Sequence, residues 1–225
     1  MQSITRRRFL EDSMLVAAAA VAGVAMPLQA QEKKPGNATN RIRVAILGCR
    51  IRGKQHAQEL APLRDCEIAY VCDPDRDLAG ELAAAVEKQQ GAAPKTVQDM
   101  GRVFDDRAVD PVFVATPNHW HALAAIWAMQ AGKDVYVEKP VSHNISEGRR
   151  IVQVARKTGR IRQGGTQNRS NAALAAAIDY IKQGKLGEVK LARSIVYGRR
   201  GSIGGPGTYE VRPVLITTFG PGRHR

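Results

Sequence analysis

"RIRVAILGCRIRGKQH", Arg41–His56, joins a β-rich apolar run to Gly48 and then to a helical periodicity that follows Gly53 and continues to Leu63. The pattern reads as strand, tight turn and helix. The same alternation repeats outward along the chain. "CEIAYVCD" (66–73) is a second strand, and "DLAGELAAAVEKQQG" (77–91) a second helix closed by Gly91 at its C′ position. A short helix is expected over Val97–Phe104. "PVFVATP" (111–117) is a buried strand, "HWHALAAIWAMQAG" (119–132) a helix stopped at Gly132, and "DVYVEKP" (134–140) another strand. "SEGRRIVQVARKTG" (146–159) is again helical; Asn144 caps it with Glu147 three residues on, as in a capping box, Ser146 being the alternative cap. "RIRQGGTQ" (160–167) closes the series as a short strand. Continuous apolar strands separated by helices predict an α/β fold with a doubly wound parallel sheet covered on both faces. "NAALAAAIDYIKQGKLGEV" (171–189) reads as one more helix ending at Gly184, and "KLARSIVYGRR" (190–200) as an alternating strand that starts a second sheet.

In such a sheet the ligand lies beyond the carboxyl ends of the strands, and the first strand-to-helix turn offers helix amides to a pyrophosphate. The pattern sought is GxGxxG. Gly48 and Gly53 take its first and third places, Arg50 stands in the second, and Cys49, Ile51 and Arg52 complete the turn. Asp73 ends the second strand, 20 residues beyond Gly53. A carboxylate there accepts the adenosine ribose hydroxyls and repels a 2′-phosphate, which favours NAD over NADP. In "DPDRD", Asp75 or Asp77 suits the role of helix cap better than Asp73 does. Arg50 is the departure: the second glycine lets backbone approach the pyrophosphate, and a Cβ at that place obstructs the approach even if the guanidinium offers a bond of its own. Weak or absent NAD binding is the expectation.

The 225 residues, 44% apolar, allow one full domain and part of another. The formal charge of +13 is not confined to the ends: residues 41–200 hold 26 Lys and Arg against 17 Asp and Glu. No nucleic-acid motif or aromatic interleaving accompanies it, and the cluster Arg149, Arg150, Arg156, Lys157, Arg160 and Arg162 reads as a solvated helix face. Cys49, Cys66 and Cys72 form no CxxC pair, and His119 and His121 point apart at a helix start without a thiol or carboxylate companion, so no metal is expected. "TRRRFLEDSMLVAAAAVAGVAMPLQA" (5–30) puts paired arginines before a mild apolar run and small residues, and resembles a twin-arginine export signal over residues 1–30. The run Met14–Ala25 is short for a membrane span, the alternative reading. Export machinery as a partner and a periplasmic location follow, with 31–40 as a polar linker.

With "ATPNHWH" (115–121) and "VEKPVSHN" (137–144) added, the chain resembles the Gfo/Idh/MocA oxidoreductases from Arg41 to about Gly201. The resemblance implies an NAD(P)-binding Rossmann domain over 41–165, then an α/β substrate domain, begun here over 166–210, whose open sheet often carries an oligomer interface. It implies hydride transfer between nicotinamide and a carbohydrate or polyol carbinol. Lys139 of EKP is implied as the group that exchanges a proton with the substrate hydroxyl, its ammonium weakened by burial and by the nicotinamide cation, with Pro140 fixing its turn. Pairing of Lys139 with Glu138 at the surface is the alternative. Thr116, Pro117, Asn118 and His121 are implied on the nicotinamide side, with Glu138 and Pro140 beside the cofactor, and Gln167 and Arg169 reaching it. Two other readings stay open: a noncatalytic nucleotide-binding fragment or pseudoenzyme, and an NAD-using glycosidase or lyase of the same family.

"VRPVLITTFGPGRHR" (211–225) lacks the patterning before it, whereas the family commonly has a segment like PGVDYDLW there. Suitable codons for Val214–Gly220, read from their third base, encode V-D-Y-D-L-W. The expectation is a frameshifted tail over 211–225 and a second domain cut short.

Overall fold

The apolar runs pair as a single parallel sheet. The computed structural model describes residues 41–195, 198 and 201; the expected export signal, linker and frameshifted tail, and residues 202–210 of the expected second domain, lie outside them. The strands are β1 (Ile42–Leu47), β2 (Cys66–Cys72), β3 (Lys95–Val97), β4 (Pro111–Val114), β5 (Asp134–Glu138) and β6 (Arg162–Gly165). The helices are α1 (Ile51–Leu60), α2 (Arg76–Gln90), α3 (Gly101–Asp105), α4 (Asn118–Gln130), α5 (Ile145–Thr158) and α6 (Ala172–Lys182), with a 3-10 turn at Gln167–Ser170 before α6. The sheet order is β3-β2-β1-β4-β5-β6, every pair parallel. This is the doubly wound order in which the chain reverses direction between β1 and β4, leaving a crevice at their carboxyl ends. Leu47 aligns with Cys72 on one side and Val114 on the other, so the three strands stop at one level.

Successive residues of β1 serve opposite faces. Ala45 and Leu47 enter a core with α3, α4 and α5, whereas Ile46 joins Ile68, Val71, Leu82 and Val86 under α1 and α2. Both faces are therefore dry, and side chains such as Ile46, Leu47, Ile68 and Leu82, each no more than 2% exposed, contribute about 1.5–3 kcal/mol apiece. α4 carries Ala122, Ala124, Ala125 and Ala128 toward the sheet, and their small size lets it lie close. α5 buries only Ile151, Val154 and Ala155; Arg149, Arg150, Arg156 and Lys157 face water, the solvated face expected.

Among the described residues, three helix starts are capped by side chains. Asp75 accepts the Asp77 and Leu78 amides, Asn144 accepts that of Glu147, and Asn171 accepts those of Ala173 and Leu174. Glu147 reaches back to the His143 amide at 3.0 Å rather than to that of Asn144, a capping box displaced by one residue. Gly91 and Gly159 end α2 and α5 at φ 79° and 65°.

The expected elements differ in three places. Helix α1 starts at Ile51, before Gly53, because the Arg50 carbonyl already accepts the Lys54 amide, and it ends at Leu60. The helix expected over Val97–Phe104 splits: Thr96 and Val97 pair with Val71 and Cys72 as a sheet edge, and Asp99 turns the chain by accepting the Gly101 amide before α3. The strand expected over 190–200 does not form at 190–195; no strand lies beside it among the described residues, and a lone strand has no ladder to hold it. Residues 172–195 are exposed throughout.

Candidate functional site

The first turn after β1 is built around two glycines that nothing else can replace. Gly48 has φ +92°, its amide donates to Cys72 O at 2.8 Å, and a Cβ on it would lie 2.6 Å from Ala115 O. A Cβ on Gly53 would sit 1.8 Å from Gly48 O, so α1 rests directly on the turn. Arg50 is different. Its φ of −85° suits any L-residue, and its side chain is exposed. The backbone therefore keeps the phosphate-turn shape, and the arginine bears only on what the turn receives. Cys49 contributes backbone alone, its side chain being fully buried, while Ile51 is 76% exposed on the first turn of α1. Unlike α2, α5 and α6, α1 has no capping side chain, and unlike α2 and α5 it has no acidic residue in its first turn. Its leading amides and the positive end of its dipole are left for an anion.

Asp73 fastens this turn to the end of β2. Its Oδ2 accepts the Cys49 amide at 2.7 Å and its Oδ1 the Asp75 amide at 2.9 Å, with the residue 7% exposed. Each oxygen retains a further lone pair, so the expected acceptance of ribose hydroxyls is compatible with the strap. Asp75, rather than Asp73 or Asp77, is the helix cap.

Glu138 is the hub of a second cluster. Its Oε1 accepts Arg52 Nε at 3.0 Å and Nη2 at 2.7 Å, Gln167 Nε2 at 2.6 Å, and lies 2.9 Å from His56 Nε2; its Oε2 faces the Lys139 amide at 3.3 Å. Glu138 is 2% exposed. Burial alone pushes the Glu138 carboxyl up, but hydrogen bonds from Arg52 and Gln167 and the charges of Arg52 and His56 outweigh it and hold the group below its ordinary value. Burial pushes the His56 imidazole down; the Glu138 anion works against this, Arg52 with it, and the net direction is down. The His56 ring packs at 5.4 Å from Phe113 and 5.2 Å from Tyr136. Arg52, Glu138 and Gln167, expected as cofactor contacts, satisfy one another in this cluster, since a buried carboxylate without donors costs far more than a solvent-facing one. His56 was not among the expected residues. Its place one helical turn after Arg52 is the signal that points to it.

The remaining residues gather past β4 and β5. Thr116 Oγ1 is buried without a hydrogen-bond partner, beside the Gly48 turn, while Pro117 and Asn118 are exposed. His121 does not line the nicotinamide side as expected: it is 2% exposed, with Nδ1 2.6 Å from Pro140 O and Nε2 2.6 Å from Thr116 O. Backbone carbonyls consume its polar atoms. Lys139 is exposed rather than buried, joined by a cis peptide to an exposed Pro140, and it forms no ion pair with Glu138, whose Oε1 is filled by other donors. Arg169 is exposed on the 3-10 turn and takes no part in the Glu138 cluster. Among the described residues no group of three His, Cys, Asp or Glu is placed to hold a metal.

Two surface hollows, about 340 and 270 Å³, lie elsewhere, one beside Gln130, Arg150 and Lys157 and the other beside Lys54, Glu81 and Gln89. Neither borders the strand-end crevice. Two observations fit a dinucleotide there: the uncapped amides of α1 and the orphaned hydroxyl of Thr116.

Residues 42–166 match the model of the Gfo/Idh/MocA group, described as an oxidoreductase family with an NAD-binding Rossmann fold. Among curated relatives, the α-N-acetylgalactosaminidase of Shewanella oneidensis is 27% identical over 70% of this chain and 38% of its own length. The scyllo-inositol 2-dehydrogenase (NAD(+)) of Bacillus subtilis is 29% identical over 66% of this chain and 42% of its own. The solved WlbA dehydrogenase of Bordetella pertussis, in complex with NADH and UDP-GlcNAcA, is 28% identical with a TM-score of 0.56, covering 65% of this chain and 43% of that one. The scyllo-inositol dehydrogenase of Lactobacillus casei, with NAD(H) and scyllo-inositol bound, shares the fold at a TM-score of 0.58 and 23% identity, over 66% of this chain and 43% of that one. The chain spans less than half the length of the relatives it matches. With the sheet order, the two demanded glycines and the matched residues in agreement, the chain belongs to the Gfo/Idh/MocA oxidoreductase family.

Proposed function

We propose that the chain is the nucleotide-binding part of an NAD-dependent oxidoreductase acting on a carbohydrate or polyol. The observation that carries this reading is the uncapped start of α1 set against Gly48 and Gly53, with Asp73 fixing the same turn. The α1 amides and Arg50 would face the pyrophosphate, the spare lone pairs of Asp73 the ribose, and Thr116 Oγ1 the nicotinamide half. NADP is disfavoured by the Asp73 charge. NAD, when bound, supplies the hydride acceptor. Lys139, as the neutral amine, would take the proton of the substrate hydroxyl and become the ammonium, and its exposed side chain is open to a substrate. The domain limits of 41–165 and 166–210, twin-arginine export to the periplasm, and self-association through a complete second domain belong to the same proposal. No helix among the described residues is long and apolar enough to cross a membrane.

The test is calorimetric titration of the full chain with NAD, followed by measurement of NADH formation with inositols and simple sugars. Binding that leaves ADP-ribose unable to compete, or no binding even after Arg50→Gly, refutes the cofactor site. A second reading is favoured by one observation, the alignment of the Shewanella α-N-acetylgalactosaminidase over 70% of this chain. An enzyme of that kind returns the hydride internally, so sugar release from N-acetylgalactosaminides without net NADH would select it.

A further inference from the structure

Lys139 stands on a short segment whose backbone is held from two directions. On the α1 side, Glu138 Oε2 accepts the Lys139 amide at 3.3 Å. On the α4 side, His121 Nδ1 meets the Pro140 carbonyl oxygen at 2.6 Å, while Nε2 of the same ring meets Thr116 O at 2.6 Å. His121 lies in the first turn of α4, so one ring links the start of that helix to both loops beside it. Carbonyl oxygens only accept, so a ring nitrogen that carries a proton donates to the loop it faces. A neutral imidazole donates through one nitrogen and holds one carbonyl at a time, whereas the imidazolium holds both.

Both partners of the ring are loop carbonyls, one in the segment Thr116–Asn118 and the other directly after Lys139. We infer that His121 is a positioning residue: through the Pro140 and Thr116 carbonyls it fixes the backbone under Lys139 relative to the Thr116–Asn118 loop. The inference rests on the role proposed for Lys139, but the mechanical coupling is a property of the chain by itself.

Two variants of the full chain test it. His121→Phe keeps a ring in the cavity and removes both ring nitrogens; His121→Gln restores a single amide nitrogen, enough for one carbonyl. Hydrogen exchange at the Thr116, Asn118, Lys139 and Val141 amides is the readout. The expected result is acceleration of about tenfold or more at both loops in His121→Phe, with β1 amides unchanged, and return of one loop toward wild type in His121→Gln. Wild-type exchange at these loops in His121→Phe, or acceleration spread evenly over the chain, overturns the inference.

A second readout compares NADH with ADP-ribose, which lacks the nicotinamide. His121→Phe should weaken NADH about tenfold and leave ADP-ribose unchanged; equal loss of both overturns the positioning role. A wild-type chain that binds neither ligand removes the proposed cofactor site, and the exchange result then decides the coupling independently.

Discussion

Replacing Glu138 by leucine strands three donors. Arg52, His56 and Gln167 all converge on Glu138 Oε1 at 2.6–3.0 Å, and the carboxylate is 2% exposed. Removing one partner of a buried ion pair costs about 3–5 kcal/mol, because the other charge stays behind without its counter-ion. The Arg52 side chain is 33% exposed, so its guanidinium can turn partly into water, which places Glu138→Leu near 3 kcal/mol at the lower end of that range. For a domain of this size the melting temperature should fall by about 6–12 °C. Arg52→Met combined with Glu138→Leu removes the stranded charge and should recover at least half of the loss. Urea denaturation and thermal melts followed by circular dichroism measure both. A single variant within about 1 kcal/mol of wild type, or a double variant whose loss equals the sum of the singles, would show that the cluster is not the coupled unit described.

The same cluster sets a response to acid. Glu138 is held below its ordinary 4.5, so its contribution is present above that pH and lost as pH falls through the lower folded value; His56, held below 6.5, withdraws stability as pH drops beneath 6.5. Melting temperature should therefore decline in two stages on acidification, and Glu138→Gln should abolish the lower one. Gly48→Ala should cost about 2–5 kcal/mol by urea titration, since it combines φ +92° with a Cβ 2.6 Å from Ala115 O. Arg50→Gly should leave the melting temperature within a few degrees of wild type and tighten NAD at least about tenfold by calorimetry, because only the ligand meets that Cβ. Lys139→Met should change stability by no more than about 0.5 kcal/mol, being exposed and unpaired, and lower NADH formation by about 10²–10⁴.

Where a residue's role depends on its near neighbours in sequence, the chain declares it. Ile42–Leu47, Gly48 and Gly53 announce strand, turn and helix because periodicity and glycine placement are local, and Asn144 with Glu147 announces its cap for the same reason. The Lys95–Val97 edge is too short to display a period, and it is held by Val71 and Cys72 rather than by its own pattern. The site shows the same division. Asp73 lies at the predicted strand end, yet its use as a strap for Cys49 arises only when the turn folds over it. Arg52 and Glu138 stand 86 residues apart, and nothing local tells an arginine of the turn that it will pair with a carboxylate of β5. His121 has the same character: the motif around it identifies the loop, but its two carbonyl partners come from different crossovers.

The three thiols have a practical consequence. Cys49, Cys66 and Cys72 are all buried and free, and burial, reinforced for Cys49 and Cys72 by the Asp73 charge, pushes their acidity well below that of an ordinary thiol. Cys49 lies in the phosphate turn and Cys72 ends the strand that the turn's Gly48 amide bonds, so an alkylating reagent such as iodoacetamide meets them only in molecules whose first crossover has come apart. The chain carries its own clock for that event, readable by mass as carbamidomethyl groups accumulate, without any dye or engineered label.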